Sequence, residues 1–223
     1  MKLIHPDWEK QIVISNEKVP LISIENPQYL YDTLEELNEE SQTNIGRYVL
    51  SENNKILDMK KYFVFVADPW GMNLNDRKLS TKLITNVLNE TQNETNHQKT
   101  TQICGLIQSW LEEITIGMPL PITYDFNIDL EALLKAFHIH IDETSKELGE
   151  KMLIFMKSWN ILCGEMCFAF YGFRNLIPIH KRALFYENAK AENLKFLMFE
   201  GPCNEIEDYE DRFIIDKDLC QIY

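Results

Sequence analysis

No apolar run in this chain reaches the roughly 18 residues that a membrane-spanning helix needs. The opening MKLIHPDWEK also lacks the apolar core of a signal peptide, so a cytoplasmic location is expected. Nucleophilic catalysis has little support. There is no Gly-x-Ser-x-Gly turn, and no cysteine stands in a motif paired to a histidine. The five cysteines, Cys104, Cys163, Cys167, Cys203 and Cys220, are an odd number. Cys163 and Cys167 lack the second close pair a zinc site requires, which leaves reduced, mostly buried thiols as the expectation. Cations are scarce as well. Lys and Arg number 22 against 35 Asp and Glu, a formal net charge of -13, which argues against nucleic-acid binding by the whole surface. Phosphate neutralisation is the main source of such affinity; a local basic patch stays open.

What is present supports a folded core: 45% of the 223 residues are hydrophobic, enough for one large domain or a compact domain with a substantial appendage. The stretch from Glu165 to Pro202 reads as strand, crossover and strand. MCFAFYGF and LKFLMFEGP are continuous apolar runs, the character of strands buried on both faces. Between them an amphipathic helix is predicted, entered at Pro178, as a parallel pair needs. KLIHPDWEKQIVI predicts an edge hairpin, VPLISI a strand, and Pro27 opens a helix carrying Leu30, Leu34 and Leu37 on one face. The turn between them, ISIENPQYLYDTL, has no glycine or lysine, and Glu25 would repel a phosphate. A phosphate cradle is therefore not expected at this strand-to-helix turn.

A hairpin about Asn53 and Asn54 precedes the strand KYFVFVAD, whose end places Asp68 where open sheets often hold a catalytic carboxylate. Asp before Pro and Gly is common turn chemistry, however, so Asp68 is expected to cap the turn before Pro69. From Asn73 the character becomes helical: one helix carries Leu79, Leu83, Ile84, Val87 and Leu88, and a second carries Ile103, Ile107, Trp110 and Leu111. ITIGMPLPITYDF predicts a hairpin or loop, Asp129 to Phe137 a short helix, HIHID a short strand, and Thr144 to Cys163 a long helix ended at Gly164. NEIEDYED reads as a solvating acidic run before a turn and a last strand. The expected organisation is an α/β head, residues 1–72 and 164–223, with an inserted α-helical leg, residues 73–163.

Two constellations bear on ligands. His138 and His140 alternate in HIHID but lack a clear third metal ligand. Glu112, Glu113, Asp125, Asp129 and Glu131 surround the Gly-Pro loop, and oxygen ligands of this kind suit calcium, although Asp125 or Asp129 is equally a helix cap. Basic residues fall in small groups: Lys60 and Lys61; Arg77, Lys78 and Lys82; Arg174, His180, Lys181 and Arg182. Each group is by itself ordinary solvated surface. Repeated around the axis of an oligomer, such groups can build a positive channel despite an acidic total.

Taken in order, the amino-terminal hairpin, ISIENPQYLYDTL, YVLSENNKILDMKKYFVFVADPWGMNLNDRKLSTKLI, the helical arm and the closing DYEDRFIIDKDLCQIY resemble the small accessory adaptation protein of type II-A CRISPR systems. The resemblance implies a non-catalytic protein with a head like a degenerate phosphate-loop ATPase and a helical leg. It further implies a ring-shaped homotetramer that binds calcium and holds double-stranded DNA ends in a positive central hole. The implied partners are the spacer integrase and the RNA-guided effector nuclease, during spacer acquisition in antiviral defence. Under that resemblance Lys60, Lys61, Arg77, Lys78, Lys82, Arg174, Lys181 and Arg182 are candidate DNA contacts, and Glu112, Glu113, Asp125 and Asp129 candidate calcium ligands. Glu200 falls where an ATPase's magnesium-associated acid would follow its strand; without the phosphate loop it would be a relic. Two other classes stay open: a nucleotide-dependent α/β enzyme with a non-standard phosphate site, and a protein-interaction scaffold.

Overall fold

The computed structural model describes all residues except Lys146 and Asn204, and these divide into two compact units, 1–74 with 143–223, and 75–142.

The first unit is built on a six-stranded sheet. Its strands are β3 (Val19–Ile24), β6 (Phe63–Val66), β7 (Cys167–Tyr171), β8 (Lys195–Glu200), β9 (Glu210–Ile215) and β10 (Gln221–Ile222), in the order β10-β9-β3-β8-β7-β6. All neighbours are parallel except β10, which runs antiparallel along β9 at one edge. MCFAFYGF and LKFLMFEGP do lie side by side, with Ala169 opposite Leu197. Continuous apolar sequence is required here because both faces are covered. On one face Cys167, Ala169, Leu197, Phe199, Ile22, Ile24 and Phe213 meet Leu37 and the aromatic side chains of Trp8 and Tyr48. On the other, Phe168 packs edge-on to Phe155 and Phe170 edge-on to Phe196, which meets Phe185 and Tyr186.

A small antiparallel sheet, order β2-β1-β4-β5, comes from β1 (Lys2–Ile4), β2 (Ile12–Val13), β4 (Val49–Glu52) and β5 (Lys55–Leu57). Asn53 and Asn54 close its hairpin with positive φ, a conformation asparagine tolerates. Helix α1 (Pro27–Thr43) starts as its proline predicts, and the Asn26 side chain accepts hydrogen bonds from Gln28 N–H and Tyr29 N–H. A single turn of helix, α2 (Met59–Tyr62), precedes β6.

The second unit contains α3 (Arg77–Gln92), α4 (His97–Ile116) and α5 (Leu130–Ala136), capped by Asp76 on α3 and Asp129 on α5. HIHID forms no strand among the described residues, because His138 takes a left-handed φ of 51°. The Gly-Pro segment is irregular rather than a hairpin.

One expected boundary moves. Helix α6 (Leu148–Cys163), assigned from sequence to the inserted leg, belongs to the sheet unit. It buries Leu148, Met152, Phe155, Met156 and Trp159 there, so the inserted segment ends at residue 142 rather than 163. Lys146, within the helix predicted from Thr144, lies outside the described residues. Two further helices, α7 (Phe173–Leu176) and α8 (Ile179–Ala191), form the crossover from β7 to β8. Among the described residues no helix is long and apolar enough to cross a membrane.

Phe168 is fully buried at the centre of this packing. Phe168→Ala should cost about 3–5 kcal/mol, lowering the thermal midpoint by roughly 10 °C. An unchanged midpoint would show that the α6 face of the sheet is not the core described.

Candidate functional site

Parallel strands end together, and here the carboxyl ends of β6, β7 and β8 open into a cavity of about 710 Å³. Its walls include Asp68, Trp70, Tyr171, Arg174, Arg182, Glu200, Cys203 and Glu205. This is where open α/β sheets place ligands.

Each polar wall group has a traceable position. Asp68 caps the single 3-10 turn Pro69–Gly71, its Oδ1 accepting from Trp70 N–H at 3.0 Å, so the turn-cap expectation describes its geometry. Gly172, with φ of 74°, turns the chain out of β7 into α7. Arg174, only 7% exposed, lies below the cavity beside two acids: Nε is 3.2 Å from Glu210 Oε1 and Nη2 is 3.2 Å from Glu207 Oε1. Burial would lower the Arg174 guanidinium, but Glu210, Cys203 and Glu207 outweigh it and hold the charge firmly on. Arg182 pairs with the same Glu207 and donates from Nε to Ile177 C=O at 2.8 Å. Tyr186 Oη donates to Glu210 Oε1 at 2.9 Å.

The acidic run NEIEDYED is therefore not mere solvation: Glu210 is a buried counter-ion and Glu207 a half-buried one, while Asn204 lies outside the described residues. For the same reason Arg174 and Arg182 are engaged within the fold, and neither is an open surface cation for a phosphate. Lys181 is exposed and pairs with Glu147 at 3.0 Å. Lys60 and Lys61 are exposed on α2, Lys61 standing 3.8 Å from Asp58.

Glu200 closes β8 and is 3% exposed. Its Oε1 accepts from Arg174 N–H at 2.7 Å; its second oxygen has no hydrogen-bond partner among the described residues. Burial raises this carboxyl above its ordinary range against the lowering pull of Arg174 and Arg182. The amides at the start of α1, where a nucleotide enzyme would hold phosphate, are occupied by the Asn26 side chain.

In the second unit, α3 exposes Arg77, Lys78 and Lys82 along a helix whose single acid is Glu90. No residue of α4 is fully buried; Ile103, Leu106, Trp110 and Ile114, spaced three and four apart, leave one apolar stripe open. Sequence reasoning located this helix and part of its stripe without showing that it faces solvent. Glu112, Glu113, Asp125 and Asp129 are all exposed, and Asp129 Oδ1 accepts from Ala132 N–H. Among the described residues no three or more His, Cys, Asp or Glu come together to hold a metal ion, so this donor set does not fit a calcium site within one chain. His138 and His140 are exposed in a loop, with His140 Nδ1 2.8 Å from His138 C=O. Of the cysteines only Cys167 is fully buried, its thiol pushed up to about 12 by desolvation; Cys220 is exposed.

Comparison with known families then decides what this arrangement belongs to. The model of the CRISPR-associated protein family Cas_Csn2 matches residues 40–219. The chain belongs to the Csn2 family. That membership gives it a CRISPR-associated function. The fold agrees: a crystal structure of Stu0660 of Streptococcus thermophilus superposes with a TM-score of 0.58 at 13% identity, over 100% of this chain and 76% of that one. No curated protein matches the sequence. The α/β fold expected from sequence is thus the fold found in this Csn2-family chain.

A raised Glu200 carboxyl binds its proton more tightly folded than unfolded. Its contribution to stability is consequently lost as pH rises from the ordinary value of 4.5 through the raised one. Glu200→Gln should remove that loss, so the melting midpoint of the variant gains on the parent as pH increases. Parallel pH profiles for the two proteins would contradict the burial argument.

Proposed function

We propose that this Csn2-family chain is a non-catalytic protein that assembles into a ring and binds double-stranded DNA ends during CRISPR spacer acquisition. The observation that carries this reading is α3: three exposed cations and one acid on a single helix, in a chain of net charge -13. Such a helix has little effect on the field of a lone acidic protomer. Four copies disposed about an axis would pool their cations into one attractive surface, with the acidic exteriors turned away. The open apolar stripe of α4 supports self-association, because contiguous exposed apolar surface of this kind marks an interaction face.

Backbone charge, rather than base contact, would hold the duplex, so binding would be independent of sequence. The spacer integrase and the RNA-guided effector nuclease are the proposed partners, in the cytoplasm. No step of this reading passes through calcium or through Arg174 and Arg182; Lys60, Lys61, Arg77, Lys78, Lys82 and Lys181 remain the candidate contacts.

Solution mass and DNA affinity test it together. The parent should sediment as a tetramer, and Trp110→Glu should shift the mass downward by placing a charge in the stripe. Linear duplex should bind while closed circles of the same sequence should not. With six or more phosphates contacted, affinity should drop about a thousandfold or more between 50 and 200 mM salt. Arg77→Gln and Lys82→Gln should each lower the salt slope by about one. A parent that is monomeric at micromolar concentration, or equal affinity for both DNA topologies, overturns the ring.

A further inference from the structure

The cavity at the strand ends has no part in the ring described above, yet it is built as a binding site. We propose that it takes an organic cation, an ammonium or guanidinium group on a short carbon chain, held between the Glu200 and Asp68 carboxylates and the Trp70 indole.

Charge decides the class of ligand. The two guanidiniums at the cavity, Arg174 and Arg182, are matched by Glu207 and Glu210, which are not among its lining residues. That leaves Asp68 and Glu205 as lining acids without an ion-pair partner among the described residues, and Glu200, which feels the pull of Arg174 and Arg182 but is bonded only through Arg174 N–H. A phosphate or carboxylate entering here would meet three acids and two cations that already have partners. A cation meets the reverse.

Glu200 supplies the independent mark of a ligand. It is a carboxyl group 97% withdrawn from solvent, with one oxygen bound to Arg174 N–H and the other unpartnered among the described residues while the side chain lines the cavity. The second oxygen is not one of the fully enclosed atoms without a partner, so it opens onto the cavity, where an N–H donor from a charged group satisfies a carboxylate best. Trp70, 58% exposed, offers an aromatic wall of the kind that attracts ammonium and stacks with guanidinium. A bare metal ion is a poorer occupant, because the three lining acids are spread around the cavity without forming a metal-holding group among the described residues, and the volume, about 710 Å³, falls in the range of small-molecule sites.

The same chemistry reaches the cavity from two sources, a free amine or guanidine and the Lys or Arg side chain of a partner protein. Isothermal titration of the full chain with agmatine and, separately, with the blocked peptide acetyl-Gly-Arg-Gly-amide distinguishes them. Agmatine should bind saturably with one equivalent per chain. Binding of the peptide as well assigns the site to a partner's side chain; binding of agmatine alone assigns it to a free metabolite. Glu200→Gln should weaken agmatine at least tenfold, and Trp70→Ala, an exposed change that leaves the fold intact, several-fold. Asp32→Asn on α1, away from the cavity, should leave it unchanged. No saturable heat with either probe overturns the proposal. So does agmatine binding that neither Glu200→Gln nor Trp70→Ala weakens, or ATP competing with agmatine for the cavity.

Discussion

A guanidinium removed from water has to be surrounded by anions, and the architecture around Arg174 follows from that requirement. Its partners, Glu207 and Glu210, lie on the connection into β9 and on β9 itself, while Arg174 belongs to the one-turn helix after β7. The pairing fastens the β8–β9 connection beneath α7 and α8, with Tyr186 and Arg182 satisfying the remaining acceptors. A lone charge in that position would be strongly destabilising, so the elements are held to each other as a set. The mouth of the parallel sheet keeps its shape because of this pairing. Glu200, whose amide donor is Arg174 N–H, inherits its position from it.

The sheet itself was legible in the sequence because burial on both faces leaves no room for a period. MCFAFYGF and LKFLMFEGP can be little other than central strands, and the hairpins and the start of α1 announce themselves through Asn and Pro chemistry. The absent phosphate cradle was equally readable from ISIENPQ, and the structure adds the reason that Asn26 fills the amides itself.

What escaped was whatever depends on partners far along the chain. An apolar stripe on Leu148–Cys163 says that the helix has a core face but not whose core, hence the misplaced boundary. Arg174 and Arg182 look like surface cations in RNLIPIHKR, and NEIEDYED looks like solvated acid; only the fold joins them across 25 to 36 residues of sequence. HIHID alternates as a strand would, yet at its first residue local backbone turning prevails over periodicity. The acids around the Gly-Pro segment lie close in sequence, and closeness in sequence did not gather them.

The four tryptophans divide evenly, Trp8 and Trp159 enclosed, Trp70 and Trp110 open to solvent. The open pair also divides between the two compact units, one indole at the sheet mouth and one on the apolar stripe of α4. Each surface therefore carries its own intrinsic fluorophore. Collisional quenching by iodide or acrylamide, applied after either indole is replaced by phenylalanine, reads the shielding of one surface without interference from the other.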